Sequence, residues 1–88
     1  MSEKSAPEEK PLGEVTHYFG HISVVAIKLA DKLAIGDTLH VRGHTTDLVF
    51  TVDSMQIEHE SVTTAGPGAT VGIKVTGKVR PGDHVYRV

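Results

Sequence analysis

The chain contains no cysteine. That excludes a disulfide framework, a thiolate metal site and a cysteine nucleophile, and it fits a reducing, cytoplasmic setting. Tryptophan is also absent, and there are only two tyrosines and two phenylalanines. A core must therefore be assembled from Val, Ile and Leu, the side chains that fill small barrels. No apolar run reaches the length of a membrane span, and the first residues lack the apolar segment of a signal peptide. A cytoplasmic protein without membrane contact is the expectation. Basic charge is not in excess: nine Lys and Arg stand against eleven Asp and Glu, a formal net charge of −2 with neutral histidines. Non-specific DNA binding draws its affinity from phosphate neutralisation, so DNA is not an expected partner. A local basic patch is compatible with this balance.

What is present is a recurring phrase: a glycine, a small or acidic residue, one more residue, then an apolar residue that opens a strand-like run. It reads Gly36-Asp37-Thr38-Leu39-His40-Val41, Gly68-Ala69-Thr70-Val71-Gly72-Ile73 and Gly82-Asp83-His84-Val85-Tyr86. Glycine supplies the positive φ of a tight turn, and aspartate fixes such a turn by bonding backbone two residues on. In 88 residues, enough for one domain, this punctuation reads as a compact all-β fold.

Residues 1–11 (MSEKSAPEEKP) are charged and have almost nothing to bury, and they read as a disordered tail. The domain begins at Leu12. Strands are expected at Gly13 to Phe19, Ile22 to Leu29, Thr38 to Arg42, Leu48 to Ile57, Thr70 to Thr76 and His84 to Val88, with a hairpin turn at Gly20-His21. Leu39 and Val41 share one face of the third strand, and Thr38, His40 and Arg42 the other. Leu48, Phe50 and Val52 share a face that Met55 and Ile57 do not keep, so a bulge or bend is expected near Asp53-Ser54. Val71, Ile73 and Val75 point inward. No segment carries a helical period, and residues 58–68 read as loop. The expected fold is a six-stranded Greek-key β-barrel, closed or nearly so. The C-terminal run His84 to Val88 is a candidate edge strand for pairing between copies.

From Gly13 to Val88 the chain resembles the β-barrel domain that follows the GTPase domain in translation elongation and initiation factors. The matching segments are Leu33-Ala34-Ile35-Gly36-Asp37-Thr38-Leu39, Val52-Asp53-Ser54-Met55, Ala65-Gly66-Pro67-Gly68-Ala69-Thr70-Val71-Gly72 and Gly82-Asp83-His84-Val85. Through Val15-Thr16-His17-Tyr18-Phe19, Thr45-Thr46-Asp47 and Ser54-Met55-Gln56-Ile57 it is similar to short elongation-factor-like proteins. The same segments are similar to the C-terminal barrel domain of collagenase-like peptidases, some of which act in RNA modification. The resemblance implies a translation-type barrel that contacts RNA or a ribosome- or translation-associated protein. Its alternative implication is an accessory substrate-binding subunit or detached domain of a collagenase-like peptidase or RNA-modifying enzyme. The phosphate loop Gly-x-x-x-x-Gly-Lys-Ser/Thr is absent, so no GTPase activity is carried over. Elongation factors hold the terminal nucleotide of aminoacyl-tRNA with two acidic residues, and Ala69 and Ser54 stand at those positions here.

Six histidines invite a metal site: His17, His21, His40, His44, His59 and His84. His17 and His21 are four apart, as are His40 and His44, but on extended strands that separates the Cα atoms by about 13 Å. No metal or other cofactor is assigned. Ser23, Ser54 and Ser61 lack a nucleophile-elbow context, and Asp37, Asp83 and Asp47 read as turn and loop formers. No enzymatic activity is expected. The candidate binding face is the outward set His17, Tyr18, His40, Arg42, Lys74 and Arg80, in which cations and aromatics mix as in a surface that meets RNA by phosphate contact and stacking.

Overall fold

The structure, a computed structural model, describes residues 11–88. Residues 1–10 of the expected tail lie outside the described residues. Ten strands follow one another: β1 (Gly13–Phe19), β2 (Val24–Leu29), β3 (Leu33–Ala34), β4 (Thr38–Arg42), β5 (Asp47–Thr51), β6 (Met55–Ile57), β7 (Glu60–Ser61), β8 (Thr64–Ala65), β9 (Thr70–Lys74) and β10 (His84–Arg87). No helix occurs among the described residues. Eight strands form one sheet in the order β5-β4-β10-β1-β2-β9-β6-β7, and β3 and β8 pair separately. Every pairing is antiparallel.

The all-β expectation holds, and the strand count does not. The expected strand Leu48 to Ile57 breaks into β5 and β6 at residues 52–54, where the loss of parity called for a bend. The expected loop 58–68 carries β7 and β8. The second strand starts at Val24, because Ser23 has φ 55° and Ile22 donates its amide to the Phe19 carbonyl. The eight-stranded ladder does not close into a barrel: it ends at β5 and at β7. The corner at 52–54 links β5, at one end of the sheet, to β6 near the other. The last strand is not an edge. β10 lies between β4 and β1, and the edges of this sheet are β5 and β7.

One apolar layer explains the order. Val15, Val25, Ile27, Leu33, Leu39, Val41, Val52, Met55, Val71, Ile73 and Val85 are almost fully buried. Each fully buried side chain of this size contributes roughly 1.5–3 kcal/mol. Alternation places those of β1, β2, β4, β9 and β10 on a single face, with Leu33, Val52 and Met55 packed against it, and the intervening residues of those strands are left to the outer surface.

The recurring glycine phrase becomes a recurring turn. The Asp37 amide donates to the Ala34 carbonyl at 3.1 Å, and Asp37 Oδ2 accepts the Ala34 amide at 3.0 Å. The Asp83 amide donates to the Arg80 carbonyl at 3.1 Å, and Asp83 Oδ2 accepts the Arg80 amide at 2.9 Å. Gly36 and Gly82 supply φ of 99° and 93°. Each aspartate therefore ties backward to the start of its turn rather than two residues forward. The copy at Gly66–Ala69 keeps the backbone bond without a carboxylate.

Candidate binding face

The outer surface is built by register. Asp47 lies opposite Arg42, Arg42 opposite His84, His84 opposite Glu14, Glu14 opposite Lys28, and Lys28 opposite Thr70. All six are exposed. This row of charged and polar residues, with both signs interspersed, crosses six strands. Beside it on β5, β4 and β10 runs a second row, Val49, His40 and Tyr86.

The two rows meet in a cluster. The Arg42 guanidinium sits over the Tyr86 ring, 5.7 Å from its centroid, a cation–π contact. His40 Nε2 and Asp47 Oδ1 are 2.5 Å apart, with the histidine side chain 26% and the aspartate 82% exposed. Strand alternation places His40 and Arg42 on one face, and pairing with β10 brings the tyrosine beneath the arginine. The result is a shallow patch with one stacked cation, one imidazole held by a carboxylate and an aromatic ring. It suits planar, polar or anionic groups, and it holds no nucleophile beside a base.

The six expected site residues do not form one face. His40 and Arg42 share the cluster. His17 stacks on Phe19, with centroids 5.9 Å apart and planes at 9°, two strands away from β4 in the sheet. Tyr18 turns the other way. A β-bulge between Val15 and His17 makes His17 the partner of Ala26 and Tyr18 the partner of Val25, so Tyr18 is half-buried and packs against the core. Lys74 is exposed on β9, opposite Val24. Arg80 starts the turn closed by Asp83 and lies in no strand. Asp47 and His84 belong to the cluster and are not among the expected residues, and Tyr86, expected on the outward side near the end of the chain, joins it. Tyr86 sits outward on the last strand by simple alternation, but its place next to Arg42 depends on sheet order.

Open depressions mark the surface elsewhere among the described residues. One, about 720 Å³, is lined by Lys32, Asp37, Thr64, Gly66 and Arg87 among others. There Arg87 Nε lies 3.5 Å from Asp37 Oδ2, and its guanidinium also donates to the Lys32 carbonyl. A second, about 370 Å³, lies by Pro11, Glu14, Lys28 and His84. The third, also about 370 Å³, lies over Ala26 and Gly72 between Phe19, Ile22 and Gln56. Among the described residues no three His, Asp or Glu side chains converge as metal ligands would.

No protein-family model matches the chain. Over 76 residues it is 43% identical to an uncharacterized protease of Methanocaldococcus jannaschii, a match covering 85% of this chain and 19% of that protein. Over 78 residues it is 32% identical to a collagenase of Porphyromonas gingivalis, covering 86% and 22%. The chain thus spans about a fifth of the length of the curated relatives it matches. In fold it is similar to the C-terminal domain of a Geobacillus thermoleovorans protein assigned as a U32 peptidase, with a TM-score of 0.84 at 18% identity over 99% of each chain. The selenomethionine variant of that domain gives 0.83 at 16% identity over 88% of this chain and 98% of its own. The expected resemblance to collagenase-like peptidase domains is supported by these matches in sequence and fold. The translation-factor half of the expected resemblance gains no support from these relatives.

Proposed function

We propose that this chain is a non-catalytic accessory domain of the collagenase-like peptidase kind, working as a subunit or a detached domain. It holds substrate on the outer face of β4 and β10 while a separate catalytic unit acts. One observation carries this reading: the chain agrees along its whole length with a domain cut from the C-terminus of a larger peptidase-family protein. The sequence matches likewise cover only about a fifth of proteins named for proteolysis. The open sheet turns its corner at 52–54, and its outer face does the binding. Arg42, Tyr86 and His40 are the anchors. An arginine stacked on a tyrosine grips planar groups and carboxylates, and such residues dominate binding energy at protein interfaces.

Binding is tested with the intact chain by titrating it with gelatin, as a collagen-derived probe, and separately with total tRNA. Gelatin binding is expected, with Arg42→Ala and Tyr86→Ala each lowering affinity about tenfold, the loss of roughly 1.4 kcal/mol. Unchanged affinity in both variants contradicts the assigned face. A second reading, direct contact with RNA as in translation or RNA modification, is favoured by the cation–aromatic pair and the neighbouring histidine. It is supported instead if tRNA binds, gelatin does not, and partners retained from lysate are lost on nuclease treatment.

A further inference from the structure

We propose that two copies of this chain join through the free edge of β5, in antiparallel register centred on Val49. The inference goes beyond the accessory-domain reading and does not depend on it. It follows from the direction of the backbone groups. Two bonds bracket the β4–β5 ladder: the Gly43 amide to the Thr46 carbonyl at 2.9 Å, and the Val52 amide to the Asp37 carbonyl at 2.9 Å. Between them, Leu48 pairs with Val41 and Phe50 with Leu39. Antiparallel ladders alternate bonded and non-bonded pairs. Leu48 and Phe50 therefore spend their amides and carbonyls on β4, and Asp47, Val49 and Thr51 aim theirs away from the sheet. Among the described residues no backbone group bonds to those three from the open side.

An exposed edge of this kind is ordinarily blocked by a lysine, a proline or an inward charge. The run Asp47-Leu48-Val49-Phe50-Thr51 has none of these, and Val49 is 55% exposed. The segment is complementary to itself. Turned antiparallel about Val49, it sets Val49 against its twin, Asp47 against Thr51 and Leu48 against Phe50, and no like charges meet. Six outward hydrogen bonds form, two between the valines and two in each of the Asp47–Thr51 pairs on either side. A second copy is the occupant because the edge supplies its own matching register. The two-fold axis stands perpendicular to the sheet, so both outer faces point the same way. The row Tyr86-His40-Val49 then continues into the twin's Val49-His40-Tyr86, and two candidate binding patches share one surface.

Five-residue strands bury little area, so the association is of the weak, transient class. Sedimentation equilibrium of the intact chain is expected to show a mass rising from 9.4 kDa toward twice that value between about 10 and 500 µM. Amides 47, 49 and 51 are expected to exchange more than tenfold more slowly at the high concentration. Val49→Pro removes an outward donor and leaves the β4 bonds intact, a substitution edge strands tolerate. It is expected to abolish the dimer with native circular dichroism. Val49→Lys, which sets two ammonium groups against each other across the axis, is expected to do the same should the proline variant not fold. A mass that stays monomeric up to about 500 µM overturns the proposal. So does a dimer that survives both folded variants, or one whose amide protection falls outside β5.

Discussion

A methyl group built on Gly43 would lie 1.9 Å from Asp83 Oδ1 and 2.5 Å from its Cγ. The carboxylate cannot retreat, because Asp83 is only 6% exposed and its other oxygen holds the Arg80 amide. Gly43→Ala is therefore expected to cost about 3 kcal/mol, as overpacking against a buried polar group does. Gly36 is required for a different reason. Nothing lies within 4 Å of its missing Cβ, and its φ is 99°, so Gly36→Ala is charged only for the left-handed backbone, about 1–2 kcal/mol. Urea unfolding of both variants checks the ranking. Removing the carboxylate separates the causes: in an Asp83→Ala background the Gly43→Ala penalty is expected to fall below about 1 kcal/mol, while that of Gly36→Ala is unchanged. Equal penalties in the two backgrounds would show that the Gly43 contact with Asp83 is not what makes the glycine necessary.

Along the strands, alternation decides what each residue faces, and the bulge at Thr16 is the place where it is reset. Val15 pairs with Ile27 and His17 with Ala26, so Thr16 is the extra residue. Deleting it leaves those pairs, and the inward Tyr18, in place. It loses the Thr16 hydroxyl bond to the Ala26 carbonyl. The deletion is expected to fold with a loss of about 1–2 kcal/mol. Deleting His40 instead would turn Val41 outward and bring Arg42 toward the core, and no cooperative unfolding transition is expected from that chain. Denaturation followed by circular dichroism distinguishes the two. The same periodicity is what makes the strands legible in the sequence: β1, β4, β9 and β10 lie where apolar and polar residues alternate, and the corner after Val52 shows as a break in parity. Sheet order is another matter. Nothing in the spacing of His84 to Val88 says that this run lies between β4 and β1, so the sequence places Tyr86 outward without setting it beside Arg42, and it groups His17 with His40 across two intervening ladders. The bulge is equally hidden: nothing marks Thr16 as the extra residue, and the expected face holds both His17 and Tyr18, adjacent residues that the strand turns to opposite sides. β3 and β8 are two residues each and carry no period at all.

For the molecule as a whole, the distribution of polar groups argues for an outside surface rather than an internal pocket. The core is apolar and mostly aliphatic, and the charged row crosses the exterior. The three depressions differ in character. In the first, Asp37 and Arg87 are held by each other and by backbone, and the one over Ala26 and Gly72 is mostly apolar. The cluster of Arg42, Tyr86, His40 and Asp47 joins exposure with recognition chemistry, and that is the basis for assigning it the binding role. The most direct test is to follow the backbone amide spectrum of the isotope-labelled chain while gelatin, and then total tRNA, is added. Binding through the assigned face predicts shifts concentrated at Leu39–Asp47 and His84–Arg87 and sparing the turn at Gly20–Ser23. Shifts confined to the Asp37–Arg87 cleft or to the Phe19–Gly72 groove, or a spectrum that neither probe perturbs, would contradict it.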